Sequence, residues 1–403
     1  MTITMDPGAA ALLEALRRAG HKAYLVGGCV RDSLAGRIPH DWDICTSALP
    51  RQVLDLFGEK QCIPTGLQHG TVTVKQGGNL YEVTTFRVEG GYSDGRHPDH
   101  VDFVADVRED LARRDFTINA MAYNREEGLI DPFGGREDLL VRHLVRAVGD
   151  PARRFEEDGL RILRLCRFGA KEELELDPAT ARAAVAERSR LACVSAERIW
   201  QELYKLLAAA HPARWMLPEI MGQILPGLDC TGPAYRDSLR VIDALPPDPL
   251  ARLAALLAPA GPKAAGALLA RLKCSGAQTK EVKTLVEECG PAPDGASPRR
   301  TVRHLLARLE PDTVRRLLAL RQAQTGRAGF SAMAQALDAL LEENACCRVN
   351  QLAVNGRDLM ALGVPPGPAV GRLLAAALDQ VIEENIPNDR AALLGWLKEN
   401  RTI

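Results

Sequence analysis

The spacing of apolar residues differs between the first part of the chain and the rest. Ala9–Ala19 carries apolar residues at helical spacing, and four short strand-like runs follow it, the last two rich in Val and Thr. These runs are Ala23–Val26, Trp42–Cys45, Thr71–Lys75 and Tyr81–Arg87. Beyond about residue 150 the apolar residues recur at helical spacing. The pattern predicts an α+β protein, with an N-terminal mixed sheet followed by an all-helical remainder.

Proline- and glycine-rich breaks interrupt the helical remainder. They occur at Pro246–Pro249, Pro259–Pro262 and Gly290–Pro298, and the last has the composition of a linker. A polar, glycine-rich stretch at Val88–His100 predicts a mobile loop in the first part. The breaks therefore predict more than one helical domain.

Composition narrows the class of protein. The chain has 403 residues, 46% hydrophobic and 26% charged, with a net charge of −1, so any polyanionic partner must bind to local clusters of Lys and Arg. The N-terminus lacks the pattern of a signal peptide, and we expect no membrane partner. Ten cysteines without C-x-x-C spacing indicate a reducing compartment, so a cytoplasmic protein is expected. No pattern identifies a protein partner.

Two aspartates, Asp41 and Asp43, lie at the second predicted strand. Residues i and i+2 of a strand point to the same face, so the two carboxylates would project side by side. Carboxylates that close repel each other unless a cation lies between them, and hard oxygen ligands suit Mg²⁺. Glu82, on a later strand, is a third candidate or a surface-facing residue. The pair predicts a Mg²⁺ site for phosphoryl or nucleotidyl transfer, although a lone Asp-x-Asp is more often a solvated loop.

A glycine pair and two groups of arginines are candidates for a triphosphate. Gly27-Gly28 follows the first strand and lets backbone N–H groups approach phosphate oxygens, which Arg31 could hold in a fork. Arg113-Arg114-Asp115 could contact triphosphate and ribose, or could be a capped helix start with exposed charges. Combined with Asp41 at this spacing, the glycines predict a site for a nucleoside triphosphate and its metals.

The segment Arg154–Phe168 combines apolar and charged faces. Asp158, Arg161 and Arg164 recur every three residues and form a polar ridge, which Arg167 continues. By itself the ridge is more typical of a salt-bridged solvent face, since Glu157 and Arg161 are an i,i+4 pair.

Taken together, these residues resemble the class II tRNA nucleotidyltransferases, the CCA-adding enzymes of bacteria, a family that includes bacterial poly(A) polymerases. The resemblance covers about residues 20–210 through five motifs, and more weakly the C-terminal region at Val354–Met360 and Pro366–Gly371. The five motifs are Gly27-Gly28-x-x-Arg31-Asp32 with Asp41-x-Asp43, Arg113-Arg114-Asp115-Phe116-Thr117, Asp131-Pro132-Phe133-Gly134-Gly135, Glu157-Asp158-x-x-Arg161 and Ser195-Ala196-Glu197-Arg198-Ile199.

The resemblance implies a seahorse-like arrangement of a catalytic nucleotidyltransferase head (1–150), a neck that recognises the base (151–210), a body (211–290) and a tRNA-binding tail (291–403). It also implies that Asp41 and Asp43 hold two Mg²⁺ ions. The residues that it implies for binding of the nucleotide are Gly28, Arg31, Arg114, Asp158, Arg161, Arg164 and Arg167. The implied partners are the tRNA 3′ end, CTP and ATP.

The chemistry of Asp158 and Arg161 agrees with such a role. Cytosine and adenine both present an amino donor beside a ring-nitrogen acceptor, which a carboxylate and a guanidinium can bind. Uracil and guanine present a carbonyl and an N–H there, so both groups would be mispaired. One Asp/Arg pair thus predicts acceptance of CTP and ATP without a nucleic-acid template.

Alternatives to a complete CCA-adding enzyme are open on these residues. A poly(A) polymerase shares nearly all the motifs, but the segment Pro64–Val72 resembles the CCA-adding version. Partial enzymes add only CC or only A; the stretch Tyr92–Pro98, which CC-only members tend to lack, is present, so an A-adding enzyme stays possible. A catalytically inactive nucleotide or RNA sensor is disfavoured because Asp41 and Asp43 are both present.

The tail contains a basic segment, Arg299–Arg327. It has eight arginines against two acids, Glu310 and Asp312, a local excess of six positive charges. We predict that Arg300, Arg303 and Arg316 bind phosphates of tRNA; a solvated basic helix face is the competing interpretation.

Overall fold

A computed structural model of the protein describes residues 3–90, 100–290, 297–326 and 329–400. Residues 91–99 of the predicted loop Val88–His100, which include Tyr92–Pro98, residues 291–296 of the predicted linker, and Arg327 of the basic segment lie outside these residues. The two ends of the loop prediction are wrong, because residues 88–90 belong to a strand over Arg87–Gly90 that pairs with a strand beginning at His100.

Eleven strands occur in the described residues, nine of them before residue 131. They are β1 (Ala23–Val26), β2 (Ile44–Thr46), β3 (Cys62–Gly66), β4 (Thr71–Gln76), β5 (Asn79–Thr85), β6 (Arg87–Gly90), β7 (His100–Phe103), β8 (Ala122–Asn124), β9 (Gly128–Ile130), β10 (Leu144–Val145) and β11 (Glu175–Leu176).

Seven strands form one mixed sheet in the order β3-β4-β5-β2-β1-β8-β9. Only β2 and β5 run parallel within it, and they pair Ile44 with Val83 and Cys45 with Thr84. Separate two-stranded sheets are formed by β6 with β7 and by β10 with β11. A mixed N-terminal sheet is what the sequence predicts.

The second strand differs from its prediction. The prediction covered Trp42–Cys45, whereas β2 covers Ile44–Thr46, so Asp41 and Asp43 precede the strand. The backbone carbonyl of Asp43 still accepts a hydrogen bond from the N–H of Val26 at 3.0 Å, at the end of the β1–β2 ladder. The last predicted strand, Tyr81–Arg87, is also divided in the structure, between β5 and β6.

Helices dominate after residue 150. Up to residue 231 the helices are α1 (Pro7–Arg18), α2 (Gly28–Leu34), α3 (Pro50–Phe57), α4 (Val107–Ala112), α5 (Gly135–Glu137), α6 (Pro151–Glu157), α7 (Leu160–Glu172), α8 (Pro178–Ala186), α9 (Ala196–Leu207) and α10 (Pro218–Ile224). The later helices are α11 (Pro233–Ala244), α12 (Pro249–Leu257), α13 (Gly261–Arg271), α14 (Gly276–Glu288), α15 (Pro298–Arg308), α16 (Pro311–Thr325), α17 (Gly329–Glu342), α18 (Gly356–Ala361), α19 (Pro368–Ile382) and α20 (Arg390–Glu399). The α+β class with a helical remainder is confirmed.

A hydrophobic core packs helix α4 against the sheet. Tyr24 and Cys45, from β1 and β2, pack with Phe86 and with Val107 and Leu111 of α4. All five residues are at most 3% exposed. Helix α4 is therefore fixed against the sheet, and the arginines at its C-terminal end lie close to the strand ends.

The chain divides into two compact units. The first comprises residues 1–231 with 271–273, and the second comprises 232–270 with 274–403. The predicted boundaries at residues 150, 210 and 290 stay predictions.

In the described part of the chain, one stretch, Pro249–Arg271, has the length and mean hydropathy (1.4) of a membrane-crossing helix. A 3₁₀ turn at Ala258–Ala260 interrupts it, and 44% of its apolar window is buried in the protein. Length and composition are weak grounds for a membrane span here, because a core helix has the same properties.

Candidate active site

Three carboxylates lie together beside the end of β1. The register of β2 and β5 places Asp43 next to Glu82, one position before the Ile44–Val83 pair. Burial and the charge of Glu82 raise the pKa of Asp43 to about 6, against the opposing charge of Arg114 and with a further contribution from Asp41. Asp41 and Glu82 thus both act electrostatically on Asp43, and the catalytic role predicted for the three residues stays a prediction.

A divalent cation held by Asp41 and Asp43 stays a prediction. In the described residues, no three His, Cys, Asp or Glu side chains are grouped closely enough to enclose a metal ion. Mg²⁺ in phosphoryl-transfer sites is commonly held by one or two carboxylates, with water and substrate phosphates supplying the remaining oxygens. The raised pKa of Asp43 shows negative charges crowded at a partly buried position, which a cation would relieve.

The glycine pair forms the turn between β1 and α2. Gly27 has a φ of 74°, in the left-handed region that favours glycine. A Cβ atom at Gly27 would lie 3.2 Å from Nη1 of Arg114, and one at Gly28 would lie 3.7 Å from Nη2 of Arg31. The turn thus brings the backbone of Gly27 and Gly28 close to two of the predicted triphosphate ligands.

A buried aspartate, Asp110, holds the arginine pair at the end of α4. It is 0% exposed and accepts hydrogen bonds from Arg113 (2.8 and 3.0 Å) and from Nη2 of Arg114 (3.2 Å). Burial would raise the pKa of Asp110, but the charges of Arg114 and Arg113 hold it below its ordinary value. The buried Nε of Arg114 has no hydrogen-bond partner in the described residues. Arg114 is therefore fixed near Gly27 and Asp43, and its Nε is enclosed by the protein.

Arg31 is more enclosed than the sequence suggested. It is 4% exposed, and its guanidinium donates to Asn119 at 2.7 Å and to Asp32 at 2.9 and 3.0 Å. Glu172, on α7, lies 3.2 Å from its Nε. These contacts tie α2 to α7, and direct phosphate binding by Arg31 stays a prediction that requires a partner to be exchanged.

Asp158 is held by an arginine from another helix. Its Oδ2 accepts from Nη2 of Arg198 at 2.7 Å and its Oδ1 from Nη1 at 3.3 Å, while the N–H of Leu160 also donates to Oδ1 at 3.0 Å. A fork of this kind fixes the plane of the carboxylate. Asp158 is thus presented as an acceptor in one defined orientation.

The neighbouring Arg161 has three partners. Its Nη1 donates to Glu157 at 2.7 Å and to the carbonyl of Arg154 at 3.1 Å. Its Nη2 donates to the carbonyl of Arg113 at 3.2 Å, which links α7 to the end of α4. Arg161 therefore joins α7, close to Asp158 in the chain, to the arginine pair at the end of α4.

The next two arginines of the ridge contact carboxylates. Arg164 donates to Asp115 at 2.9 Å, and Arg167 donates to Glu202 of α9. Burial opposes ionisation of Asp115, but the charge and hydrogen bond of Arg164 lower its pKa to about 2. The ridge is consequently a set of partly buried ion pairs between α7 and its neighbours and not a freely solvated face.

The Asp-Pro-Phe-Gly-Gly motif packs against the segment that follows Arg113-Arg114-Asp115. Asp131 accepts from the N–H groups of Gly135 and Arg136 at 2.7 and 2.9 Å. A Cβ atom at Gly135 would lie 2.0 Å from the carbonyl oxygen of Thr117, so only glycine fits there. This close approach fixes the segment that follows Arg113-Arg114-Asp115.

The arginines of the basic segment are paired with acids from neighbouring helices. Arg300 lies 3.0 Å from Glu383, and Arg316 lies 2.7 Å from Asp248 and 3.0 Å from Glu281. Arg303, whose side chain is 11% exposed, donates to the carbonyl of Val381 at 3.0 Å and lies 3.5 Å from Glu384. The local excess of six positive charges counted along the sequence is therefore wrong as a measure of the surface, because these acids lie far away in the chain. Binding of tRNA by Arg300, Arg303 and Arg316 stays a prediction.

Sequence reasoning missed the residues that orient the predicted ligands. Arg198 orients Asp158, Asp115 orients Arg164, and Asp110 orients Arg114. Arg198 and Asp115 belong to two of the five motifs, so the sequence did mark them as candidates for the site. Asp110 belongs to none of the motifs and resembles an ordinary helix residue.

Family profiles match three parts of the chain. A profile described as the poly A polymerase head domain matches residues 23–145, and one described as a probable RNA and SrmB-binding site of polymerase A matches residues 173–217. A third, described as putative tRNA nucleotidyltransferase domain 2, matches residues 251–397.

Full-length relatives and solved structures are similar to the chain as well. A CCA-adding enzyme of Lactobacillus delbrueckii subsp. bulgaricus is 37% identical over 392 residues, which is 96% of each chain. A crystal structure of the Bacillus stearothermophilus CCA-adding enzyme in complex with CTP is 33% identical, with a TM-score of 0.80 over 99% of each chain. A Thermotoga maritima CCA-adding enzyme complexed with tRNA, at 20% identity and a TM-score of 0.72, shares the fold.

Proposed function

This chain belongs to the family of CCA-adding enzymes, the bacterial tRNA nucleotidyltransferases, and from that premise we propose how its residues carry out the reaction. The enzyme adds C, C and A to the 3′ end of tRNA from CTP and ATP, without a nucleic-acid template and with release of pyrophosphate. The observation that carries this function is the match over 96% of both chains, since it includes the helical remainder as well as the head. Two of the matching family profiles carry poly(A) polymerase descriptions, but the relatives that match over nearly the whole chain are CCA-adding enzymes, and these decide between the alternatives.

The head uses a divalent metal, as its family does, and we propose Mg²⁺ held by Asp41 and Asp43. Two such ions would polarise the transferred α-phosphate and activate the tRNA 3′ hydroxyl. Glu82 adds a third negative charge beside Asp43 and is proposed to help in holding the cations.

All ten cysteines are free, which supports the proposal of a reducing, cytoplasmic location.

The triphosphate is proposed to lie against Gly28 and Arg114. The turn at Gly27 lies beside the Arg114 guanidinium, and the exposed fifth of that side chain, 20%, can donate to a phosphate oxygen. Arg114 is already oriented by Asp110, so little side-chain freedom is lost when the nucleotide binds. Arg31, Arg164 and Arg167 complete the proposed positive side of the nucleotide site.

Base selection is proposed for Asp158 and Arg161. Asp158, oriented by Arg198, accepts from the amino group that cytosine and adenine share, and Arg161 donates to the adjacent ring nitrogen. Uracil and guanine would leave both groups mispaired, at a cost of about 1–3 kcal/mol for each unsatisfied group. The protein itself thereby replaces the template.

Three tRNA substrates test the proposed function directly. Purified protein is incubated with tRNAs that end before CCA, after C or after CC, and CTP or ATP is supplied singly or together. A CCA-adding enzyme extends the first two substrates with CTP and the third with ATP. Extension of the CC-ending substrate alone would instead identify an A-adding enzyme, and long A tails a poly(A) polymerase.

Arg300 offers a test of tRNA binding by the second unit. Its side chain is 49% exposed and pairs with Glu383, so R300Q should weaken binding and lower the slope of log K against log salt by about 0.7–0.9 for each lost phosphate contact. E383Q removes the competing carboxylate and should strengthen binding. Filter binding of tRNA at several salt concentrations measures both variants, and equal slopes in wild type, R300Q and E383Q would show that Arg300 contacts no phosphate.

A further inference from the structure

One aromatic ring lies among three of the proposed nucleotide-binding arginines. The Cζ atom of Arg167 is 3.9 Å from the centroid of the Phe168 ring, and those of Arg31 and Arg164 are each 5.4 Å from it. All three distances are within about 6 Å, where the quadrupole of a ring attracts a cation. Three cations around one ring exceed what packing of a core phenylalanine requires.

The ring itself is held firmly in place. Phe168 is 5% exposed, and its ring meets that of Phe116 edge to face, with centroids 5.7 Å apart and planes at 74°. Phe116 is fully buried and follows Asp115, the partner of Arg164. The ring of Phe168 can therefore move only if the core of the head moves with it.

Each of the three arginines also has a carboxylate partner. Asp115 binds Arg164 from the head, Glu202 binds Arg167 from α9, and Glu172 lies beside Arg31. Asp115 and Glu202 act electrostatically on both Arg164 and Arg167, and in the described residues neither carboxylate forms an ion pair with Arg31. The ring of Phe168 lies within 5.4 Å of all three guanidinium groups, from both α2 and α7.

We infer that Phe168 is a positioning residue for the nucleotide, whose ring sets the relative placement of Arg31, Arg164 and Arg167. The inference rests on the proposed nucleotide-binding function of these arginines. Phe168 touches no reacting atom; it acts through the guanidinium groups. Its loss should therefore weaken binding of both CTP and ATP more than it slows the chemical step.

Steady-state kinetics of ring-deleting and ring-keeping variants test the inference. F168L and F168M, the second of which preserves side-chain volume, should raise KM for CTP on tRNA lacking CCA and for ATP on CC-ending tRNA by about tenfold. Their kcat should stay within about twofold of wild type, and F168Y, which keeps the ring, should retain the wild-type KM. All assays run well below the Tm of each variant.

F330L provides the matched control. Phe330 is a buried ring of α17, 4% exposed, in the second compact unit, so the same change removes a core ring away from the nucleotide-binding arginines of the first unit. Wild-type KM in F168L and F168M, a KM defect in F168Y, or the same rise of KM in F330L would each overturn the inference. Failure of the wild-type enzyme to extend the three tRNA substrates would instead contradict the proposed function.

Discussion

Replacing Asp43 by alanine is expected to abolish nucleotide incorporation, with a loss of about a thousandfold or more, the rate equivalent of about 4 kcal/mol. The reason is that Asp43 and Asp41 are the proposed protein ligands of the metals, so each variant loses an anchor that solvent cannot replace. The same outcome is expected for D41A. Rates of CMP incorporation measured at saturating CTP and tRNA give the size of the loss.

Two further measurements separate loss of metal from loss of fold. Binding of tRNA should be nearly unchanged in D41A and D43A, and addition of Mg²⁺ should raise the Tm of the wild type but not that of D43A. D55A is the matched control, because Asp55 is an exposed aspartate paired with Arg51 on the surface of α3. Normal turnover by either D41A or D43A would show that the metals are held elsewhere.

The second large effect concerns selection among the four nucleotides. D158A and R161A should each reduce the preference for CTP over UTP by about ten- to a hundredfold, because one side of the protein template no longer penalises the wrong base. Ratios of kcat/KM for CTP and UTP on tRNA lacking CCA measure the effect, and the same comparison with ATP and GTP uses the CC-ending tRNA.

Binding of metal should survive these changes. The Mg²⁺-dependent rise of Tm is expected to persist in D158A and R161A, which distinguishes them from D43A. E156A is the matched control. Glu156 stands two positions before Asp158 in the chain, is exposed, and forms an ion pair with Arg190. Wild-type ratios for all four nucleotides in D158A and R161A would refute the idea of a protein template.

Much of the site could be predicted because its residues cluster along the sequence. Asp41 and Asp43 stand two positions apart, and their approach to Glu82 follows from strand pairing that Val- and Thr-rich runs make visible. The strand itself was placed two residues early at its start, because Trp42 has a high strand propensity although the ladder begins at Ile44.

The contacts made by the arginines could not be predicted in the same way. The charge excess of the segment around Arg300 and Arg316 disappears once Glu383 and Asp248 fold against it, and no local count includes such distant acids. Burial of a side chain could not be predicted locally either. The sequence predicts Arg31 as a phosphate ligand, but in the fold its guanidinium donates to Asn119, which lies 88 residues away in the chain. Pairings over these distances are set by the fold and leave no periodic signal.

The most direct test of the central claim sequences the products of a competition. A tRNA transcript that ends before CCA is incubated with the enzyme, Mg²⁺ and equal concentrations of all four nucleoside triphosphates, and the new 3′ ends are sequenced. If Asp158 and Arg161 select the base beside metals held by Asp41 and Asp43, nearly all products end in CCA and extension then stops. Products that contain U or G, that stop at CC, or that continue into runs of A would contradict the account.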